Sequence, residues 1–342
     1  MALNFEDWLL NASDKSIECS LPICIGVYEV NVENGSVEMG VESNLVLDEK
    51  SISLTDAVSF NLDIPLVACN NCFCNNLEFN SLLYWLLHTS ALRHSLASSG
   101  VKFVCWGKTL TDIAKTAKQP NVNWKFYVCK FRGVIFLTEC CGSNSSECYA
   151  ECGKRIALWS AMLKHFALVN PSDGPFPDGY QPQKVDIKEH NGVVCNVFNI
   201  SLSSYSVLYA TYQGCYGPDK RFVNFMVTDS EEPSEAECWI SAFLSGSTRT
   251  VLAVMEKGIV KKVQQRLTDD VESTTPTETK SFLSIVLKYI AEKMEPCPEL
   301  ASATIEYIST TGEVKFHKWN DMKAEQILPE FFHSRFECDV MH

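Results

Sequence analysis

Sixteen of the 342 residues are cysteines, and two groups of them have spacing that could hold a metal. Cys69-Asn-Asn-Cys72-Phe-Cys74 offers a zinc-like pair plus a third thiol, and Cys140, Cys141, Cys148 and Cys152 could supply a second half. Thiolates suit tetrahedral zinc. No second Cys-x-x-Cys and no paired histidine completes the usual four ligands, so free thiols beside loops is the preferred reading. Carboxylates cluster at Asp229/Glu231/Glu232/Glu235 and at Asp269/Asp270/Glu272. Both groups sit in loops or at element ends, and the first precedes a helix whose dipole favours acids there, so neither reads as a cation cage. His88 and His94 fall on or near an apolar helical stripe without partner spacing, and read as core or surface residues. Basic residues gather at Arg249, Lys257, Lys261, Lys262 and Arg266, Lys108 is a further anion-binding candidate, and Lys130 and Arg132 are weaker ones. A solvated hairpin face is the favoured reading of the 249–266 group, and an anion-binding patch is the alternative. The chain has no glycine-rich phosphate loop, no Gly-x-Ser-x-Gly and no His-Glu-x-x-His, so no strong catalytic constellation stands out.

The elements that must position these residues read as follows. Residues 1–77 form an irregular segment with short β-like runs at 25–30 and 44–47. Over 79–97, Leu82, Trp85, Leu86, Leu92 and Leu96 recur at helical spacing. A strand at 101–106, a short helix near 109–118 and a hairpin follow, with arms Trp124–Phe131 and Val134–Glu139 around Arg132-Gly133. A long helix is expected over about 148–168 and an excursion loop over 170–190. Strands are expected at 192–200, 205–213, 221–228, 249–255 and 258–264, with a helix at 234–244 between the third and fourth. Residues 268–279 read as a polar loop, 281–293 as a helix, 302–308 and 314–318 as a hairpin, and 323–332 as a final short helix. Strands and helices interleave without a linker or a repeat, which predicts a mixed α/β domain over 78–335 with helices on the faces of β-sheets, and a tail at 336–342.

Composition narrows the class. A chain that is 46% hydrophobic and 21% charged is neither disordered nor collagen-like nor a coiled coil. The net charge of −13 repels polyanions, so general nucleic-acid coating and DNA binding are not expected, and RNA binding would need a local basic cleft. No run approaches the ~20 apolar residues of a membrane span, and the N-terminal stretch carries acids where a signal peptide carries Lys or Arg. The expectation is an intracellular protein of the cytoplasm, the nucleus or both.

Several segments together resemble the decapping exoribonuclease family. They are Leu82-Leu83-Tyr84-Trp85-Leu86-Leu87, Val101–Trp106 with Leu110-Thr111, the paired strands Trp124–Glu139, the strand–strand–helix–strand–strand order of 205–265, and Ser281-Phe-Leu-Ser-Ile-Val before a terminal hairpin. The resemblance covers about 78–335 and lies in the order and spacing of the pieces. It implies a decapping-nuclease-like fold, metal-dependent removal of incomplete or non-canonical RNA 5′ caps with 5′→3′ degradation, and Mg²⁺ or Mn²⁺ as cofactor. It also implies RNA 5′ ends or a nucleotide as ligand, and a larger 5′→3′ exoribonuclease as a protein partner.

The family's site has an Arg after the Phe-Val-x-Trp strand, a Glu on the long helix, a Glu-x-Asp at one strand end, a Glu-x-Lys on the next strand and a Gln on the following helix. Carried over, these fall on Gly107 (with Lys108 beside it), Lys164, Tyr212 and Gly214, Asn224 and Met226, and Ser241. No carboxylate remains in the mapped cage, and hard dications require one. The leading expectation is therefore a degenerate site without metal and a binding or regulatory role in RNA 5′-end metabolism. The alternative is an active decapping nuclease with ligands at other positions, which predicts at least three carboxylates in one pocket. A third is an interaction scaffold with no link to RNA. Tyr212 and Met226 also read as ordinary strand packing.

Overall fold

The computed structural model describes residues 3–4, 18–31, 35–40, 46–47, 77–89, 99–140, 168–169, 192–212, 215–217, 219–229, 233–256, 259–269, 275–319 and 327–337. Its strands, in chain order, are β1 (Leu3–Asn4), β2 (Ile23–Asn31), β3 (Val37–Met39), β4 (Val46–Leu47), β5 (Val101–Trp106), β6 (Trp124–Phe131), β7 (Val134–Glu139), β8 (Leu168–Val169), β9 (Gly192–Leu202), β10 (Tyr205–Tyr212), β11 (Cys215–Tyr216), β12 (Phe222–Asp229), β13 (Arg249–Glu256), β14 (Ile259–Leu267), β15 (Ser302–Ile308) and β16 (Glu313–Trp319). The helices are α1 (Leu77–His88), α2 (Gly107–Lys115), α3 (Glu235–Leu244), α4 (Thr275–Met294) and α5 (Glu330–Glu337). Ten strands form one mixed sheet in the order β1-β16-β15-β6-β7-β5-β10-β9-β2-β3, and six form a second in the order β14-β13-β12-β11-β4-β8.

The large sheet is covered on both faces. β5 shows the consequence in its sequence: Phe103 and Cys105 enter one core with α2, α3 and α4, while Val104 and Trp106 enter the other with α1 and α5. A strand buried on both sides reads as a nearly continuous apolar run, as Val-Lys-Phe-Val-Cys-Trp does. In α4, Phe282, Val286, Ile290 and Met294 repeat every fourth residue and are buried, the spacing that places one apolar stripe on a sheet. Each such side chain contributes on the order of 1.5–3 kcal/mol on burial. α1 lies close enough to β2 that a Cβ at Gly26 would come within 2.2 Å of the Trp85 ring.

The mixed α/β single domain is as the sequence predicts, and the hairpin around Arg132-Gly133 has the expected bounds, with both turn residues at positive φ. Several element ends shift by one to three residues, and four differences bear on how the elements form. α4 begins at Thr275 rather than 281, because Pro276 is tolerated in a first turn and Thr279 Oγ1 donates to the Thr275 carbonyl at 2.5 Å. The last helix begins at Glu330, after Pro329, and runs to Glu337 rather than spanning 323–332, because proline's fixed φ suits a helix start and not its interior. Leu168–Val169 is a strand, not the end of a helix. The two-residue β11 is too short to leave a pattern in the sequence. The expected helix over 148–167, the loop at 170–190 and the 90–97 end of the first helix lie outside the described residues.

Candidate functional site

Three strand ends converge to make the site. β5 runs parallel to β7 and to β10, so their carboxyl ends share one edge of the large sheet. That is where ligands enter open α/β sheets, because loops there leave a crevice. The residues at that edge are Gly107 and Lys108 after β5, Glu139 at the end of β7 and Tyr212 at the end of β10. β10 leads into β11, which belongs to the second sheet, so the chain changes sheets at this point.

Tyr212 does not simply pack. Its hydroxyl donates to Glu78 Oε1 at 2.6 Å, and its ring meets Trp106 edge-on at 5.2 Å. Tyr28, Cys195 and Tyr212 are successive cross-strand neighbours on β2, β9 and β10, and the Tyr28 hydroxyl pairs with Ser81 Oγ at 3.0 Å. Burial pushes the Glu78 carboxyl above its usual range; the Tyr212 hydrogen bond opposes that shift, the Glu139 charge adds to it and the Lys108 charge opposes it. Burial likewise pushes the Tyr212 phenol well up, and Glu78 adds to it.

Beside this pair stands an ion network. Lys108 Nζ lies 2.7 Å from Asp112 and 2.6 Å from Glu139. Lys115 Nζ lies 2.9 Å from Asp112 and 3.4 Å from Glu237 on α3. Burial alone would raise the Asp112 carboxyl, but the Lys108 and Lys115 ammoniums outweigh it and hold the group below its usual value. Burial would lower Lys108, and Asp112 and Glu139 outweigh it, so its ammonium is held more firmly than usual. The Lys108 side chain is 58% exposed, so water screens these contacts and each is worth well under the buried-pair value. Lys108, a candidate anion ligand on the sequence reading, is paired here with two carboxylates of its own chain.

Gly107 is closed in. A Cβ there would lie 2.4 Å from Thr211 Cγ2 and 3.2 Å from the Ala210 carbonyl oxygen. The cause is the register, since Ala210 pairs with Trp106 and places Thr211 against the first residue of α2. Thr211 Oγ1 and its cross-strand neighbour Asn196 Oδ1 are buried without a hydrogen-bond partner among the described residues.

On the second sheet, Asn224 of β12 pairs in register with Thr250 of β13, and α3 connects the two strands. Asn224 Nδ2 donates to Ser241 Oγ at 3.0 Å and reaches Thr250 Oγ1 at 3.4 Å. The strand–helix–strand crossover thus unites two of the mapped positions, 224 and 241. Met226 is half-buried next along the strand and pairs with Leu252. Ser234 caps α3 by accepting from the Glu237 amide at 3.1 Å, and Tyr209 donates to the Leu244 carbonyl at its other end at 2.8 Å.

The remaining candidates separate. Lys164, Gly214 and Lys257 lie outside the described residues, as do Cys69, Cys72, Cys74, Cys141, Cys148 and Cys152. For Lys261 only the strand is described. Arg249 Nη1 reaches Gln265 Oε1 at 3.5 Å, and its guanidinium packs beside Gly217 and Asp219. Lys262 is exposed on β14, and Arg266 reaches Cys238 Sγ at 3.6 Å. Lys130 donates to the carbonyls of Glu295 and Cys297 at 3.0 and 2.9 Å, and Arg132 sits in the hairpin turn held by Glu299. His88 bonds the Tyr84 carbonyl on an exposed turn. Among the described residues, no group of three or more His, Cys, Asp or Glu side chains converges as metal ligands. The side chains at 212, 224, 226 and 241 are a phenol, an amide, a thioether and a hydroxyl, a set without the anionic oxygens that a hard dication takes. The sequence reading did not single out Glu78, Asp112, Glu139, Thr211 or Glu237. Only the Lys108–Asp112–Lys115 spacing carried a local signal, ion pairs at helical intervals.

The same arrangement of strands occurs in known structures. Rai1 from Candida albicans, crystallised with pU5 and Mn²⁺, superposes with a TM-score of 0.67 at 14% identity over 99% of both chains. Rai1 from Scheffersomyces stipitis, in complex with (3′-NADP)⁺ and calcium, gives 0.68 at 11% identity, covering 95% of this chain and 97% of that one. K. lactis Dxo1 with manganese gives 0.58 at 7% identity, covering 89% and 91%. At such identities the likeness is one of fold. No curated protein matches in sequence. The family model described as RAI1 like PD-(D/E)XK nuclease matches residues 70–333, most of the chain and every element that builds the site. The chain belongs to that family of decapping-type nucleases.

Proposed function

We propose that this chain is a family member whose cation site has been dismantled, and that it binds RNA 5′ ends or a related nucleotide as a regulatory protein rather than hydrolysing them. The observation that supports this best is the Asn224 amide, which donates to Ser241 and Thr250. A carboxylate at that position would attract a dication, whereas an amide that spends its N–H groups on two hydroxyls presents no net charge to one. Tyr212, tied to Glu78, and the screened ion network around Lys108 point the same way. The ligand class comes from the relatives, whose crystals hold pU5 in one case and (3′-NADP)⁺ in another.

A second reading keeps catalysis. Asp112 and Glu139 both contact Lys108 Nζ, and a metal that displaced the lysine would meet these two carboxylates. Incubation of the protein and Mg²⁺ or Mn²⁺ with NAD-capped, unmethylated-capped and 5′-triphosphate RNA distinguishes the two. The expected result is no product above a mock preparation, together with tighter binding of 5′-phosphorylated than of 5′-hydroxyl RNA. Product that forms with Mn²⁺ and vanishes with EDTA would establish the enzyme instead.

A further inference from the structure

Four of the eight large hydrophobic side chains that stand exposed among the described residues lie together at one rim of the ten-stranded sheet: Leu21 at 77%, Ile23 at 63%, Ile25 at 42% and Met39 at 38% exposure. They belong to β2 and to the segments that flank it. β3 pairs with β2 only over Tyr28–Val30, and the Gly40 amide reaches the Val27 carbonyl. Over Ile23–Gly26, β2 pairs with β9 on its inner side and has no strand on its outer side among the described residues. Proteins normally blunt such an edge with lysines, proline or a bulge. Here Pro22 precedes the strand and a register shift lies between Cys24 and Gly26, yet the side chains presented are isoleucine and leucine rather than charges. An exposed backbone edge otherwise bonds water, and an extended segment is the partner that replaces those bonds in register.

The charge of the segment says what kind of strand. Residues 18–40 contain Glu18, Glu29, Glu33 and Glu38 and no Lys or Arg. A second copy would set like charge against like across a two-fold axis, on a chain that already carries −13. We infer that the outer edge of β2 at Ile23–Gly26 is a docking edge for a partner's extended segment, one that alternates apolar side chains and carries Lys or Arg at its ends. The contact would add an eleventh strand to the outer side of β2, in line with β3, on the rim away from β1 and β16. Ile23 and Ile25 would be covered by the partner's apolar side chains, and the flanking acids would set its polarity.

The probe is a synthetic peptide, Arg-Lys-Val-Thr-Val-Thr-Val-Lys-Arg, compared with a version in which Glu replaces every Lys and Arg. Fluorescence anisotropy on the full chain should show the basic peptide binding at least about tenfold more tightly than the acidic one. Ile23→Glu and Ile25→Glu, both at exposed positions, should each weaken binding by about tenfold while leaving the thermal melt unchanged. Hydrogen exchange on the unaltered protein should show amides of 23–27 slowed by the basic peptide. Equal binding of the two peptides, no binding of either, or protection confined to another part of the fold would overturn the inference. So would a dimer in sedimentation that Ile23→Glu converts to monomer, since the edge would then serve a second copy.

Discussion

At the scale of single residues, the site is defined by neighbours that correct one another. Gly107 and Thr211 are such a pair, because the space a side chain at 107 would need is held by the Thr211 methyl. Gly107→Ala is expected to destabilise the protein by about 1–3 kcal/mol through overpacking. Thr211→Ser removes the offending methyl and should recover most of that loss in the double variant. Urea melts of the four proteins in the cycle measure the coupling, and additive effects would refute the contact. Glu78 makes a prediction about pH. Its folded carboxyl titrates above the ordinary 4.5, so between those two values the folded chain holds more protons than the unfolded one. Stability attributable to Glu78 therefore falls as pH rises through that window, by about 1.4 kcal/mol per unit of separation. Glu78→Gln carries no charge at any pH and still accepts from Tyr212. It should melt above wild type at pH 7, and the advantage should shrink as pH falls toward 4.5. An advantage that stays constant with pH would show that burial of the charge is not the cause.

At the scale of elements, α3 holds the second half of the site in place. Its capping serine, Ser234, keeps the first turn where Glu237 meets Lys115, and the same helix carries Ser241 to Asn224. Ser234→Ala should cost about 1 kcal/mol, the usual worth of an N-cap, read as a lowered urea midpoint. The acids gathered at its start, which suit a helix N-terminus, are visible in the sequence, and the helix begins within one residue of the expected 234, while the Ser234 cap was not read from the sequence. α4 was legible only from 281 onward, because Thr275–Lys280 has no apolar stripe and its first turn is held by the burial of Thr275 and Thr279. The last helix shows the opposite case, where a weak periodic pattern over 323–332 gave way to the single constraint of Pro329.

At the scale of the whole molecule, the proposed loss of the cation site predicts indifference to divalent cations, since Asp112 and Glu139 are already paired with Lys108. A ligand at about a hundred times its dissociation constant stabilises a fold by about 2.7 kcal/mol. Neither millimolar Mn²⁺ nor EDTA should therefore move the melting temperature, and a rise with Mn²⁺ that EDTA reverses would mean that a cation is held. The amino-acid sequence by itself determined the order of strands and helices and, through it, the family, because hydrophobic periodicity and turn chemistry act over a few neighbouring residues. It also determined that the mapped positions Tyr212, Asn224, Met226 and Ser241 carry no charge. Only the tertiary structure decided that Tyr212 reaches Glu78, 134 positions away in the chain, that Lys108 spends its ammonium on Asp112 and Glu139, and that Asn224 meets Ser241. Those contacts depend on which strand lies beside which, and parallel pairing through distant crossovers leaves no local trace in a sequence.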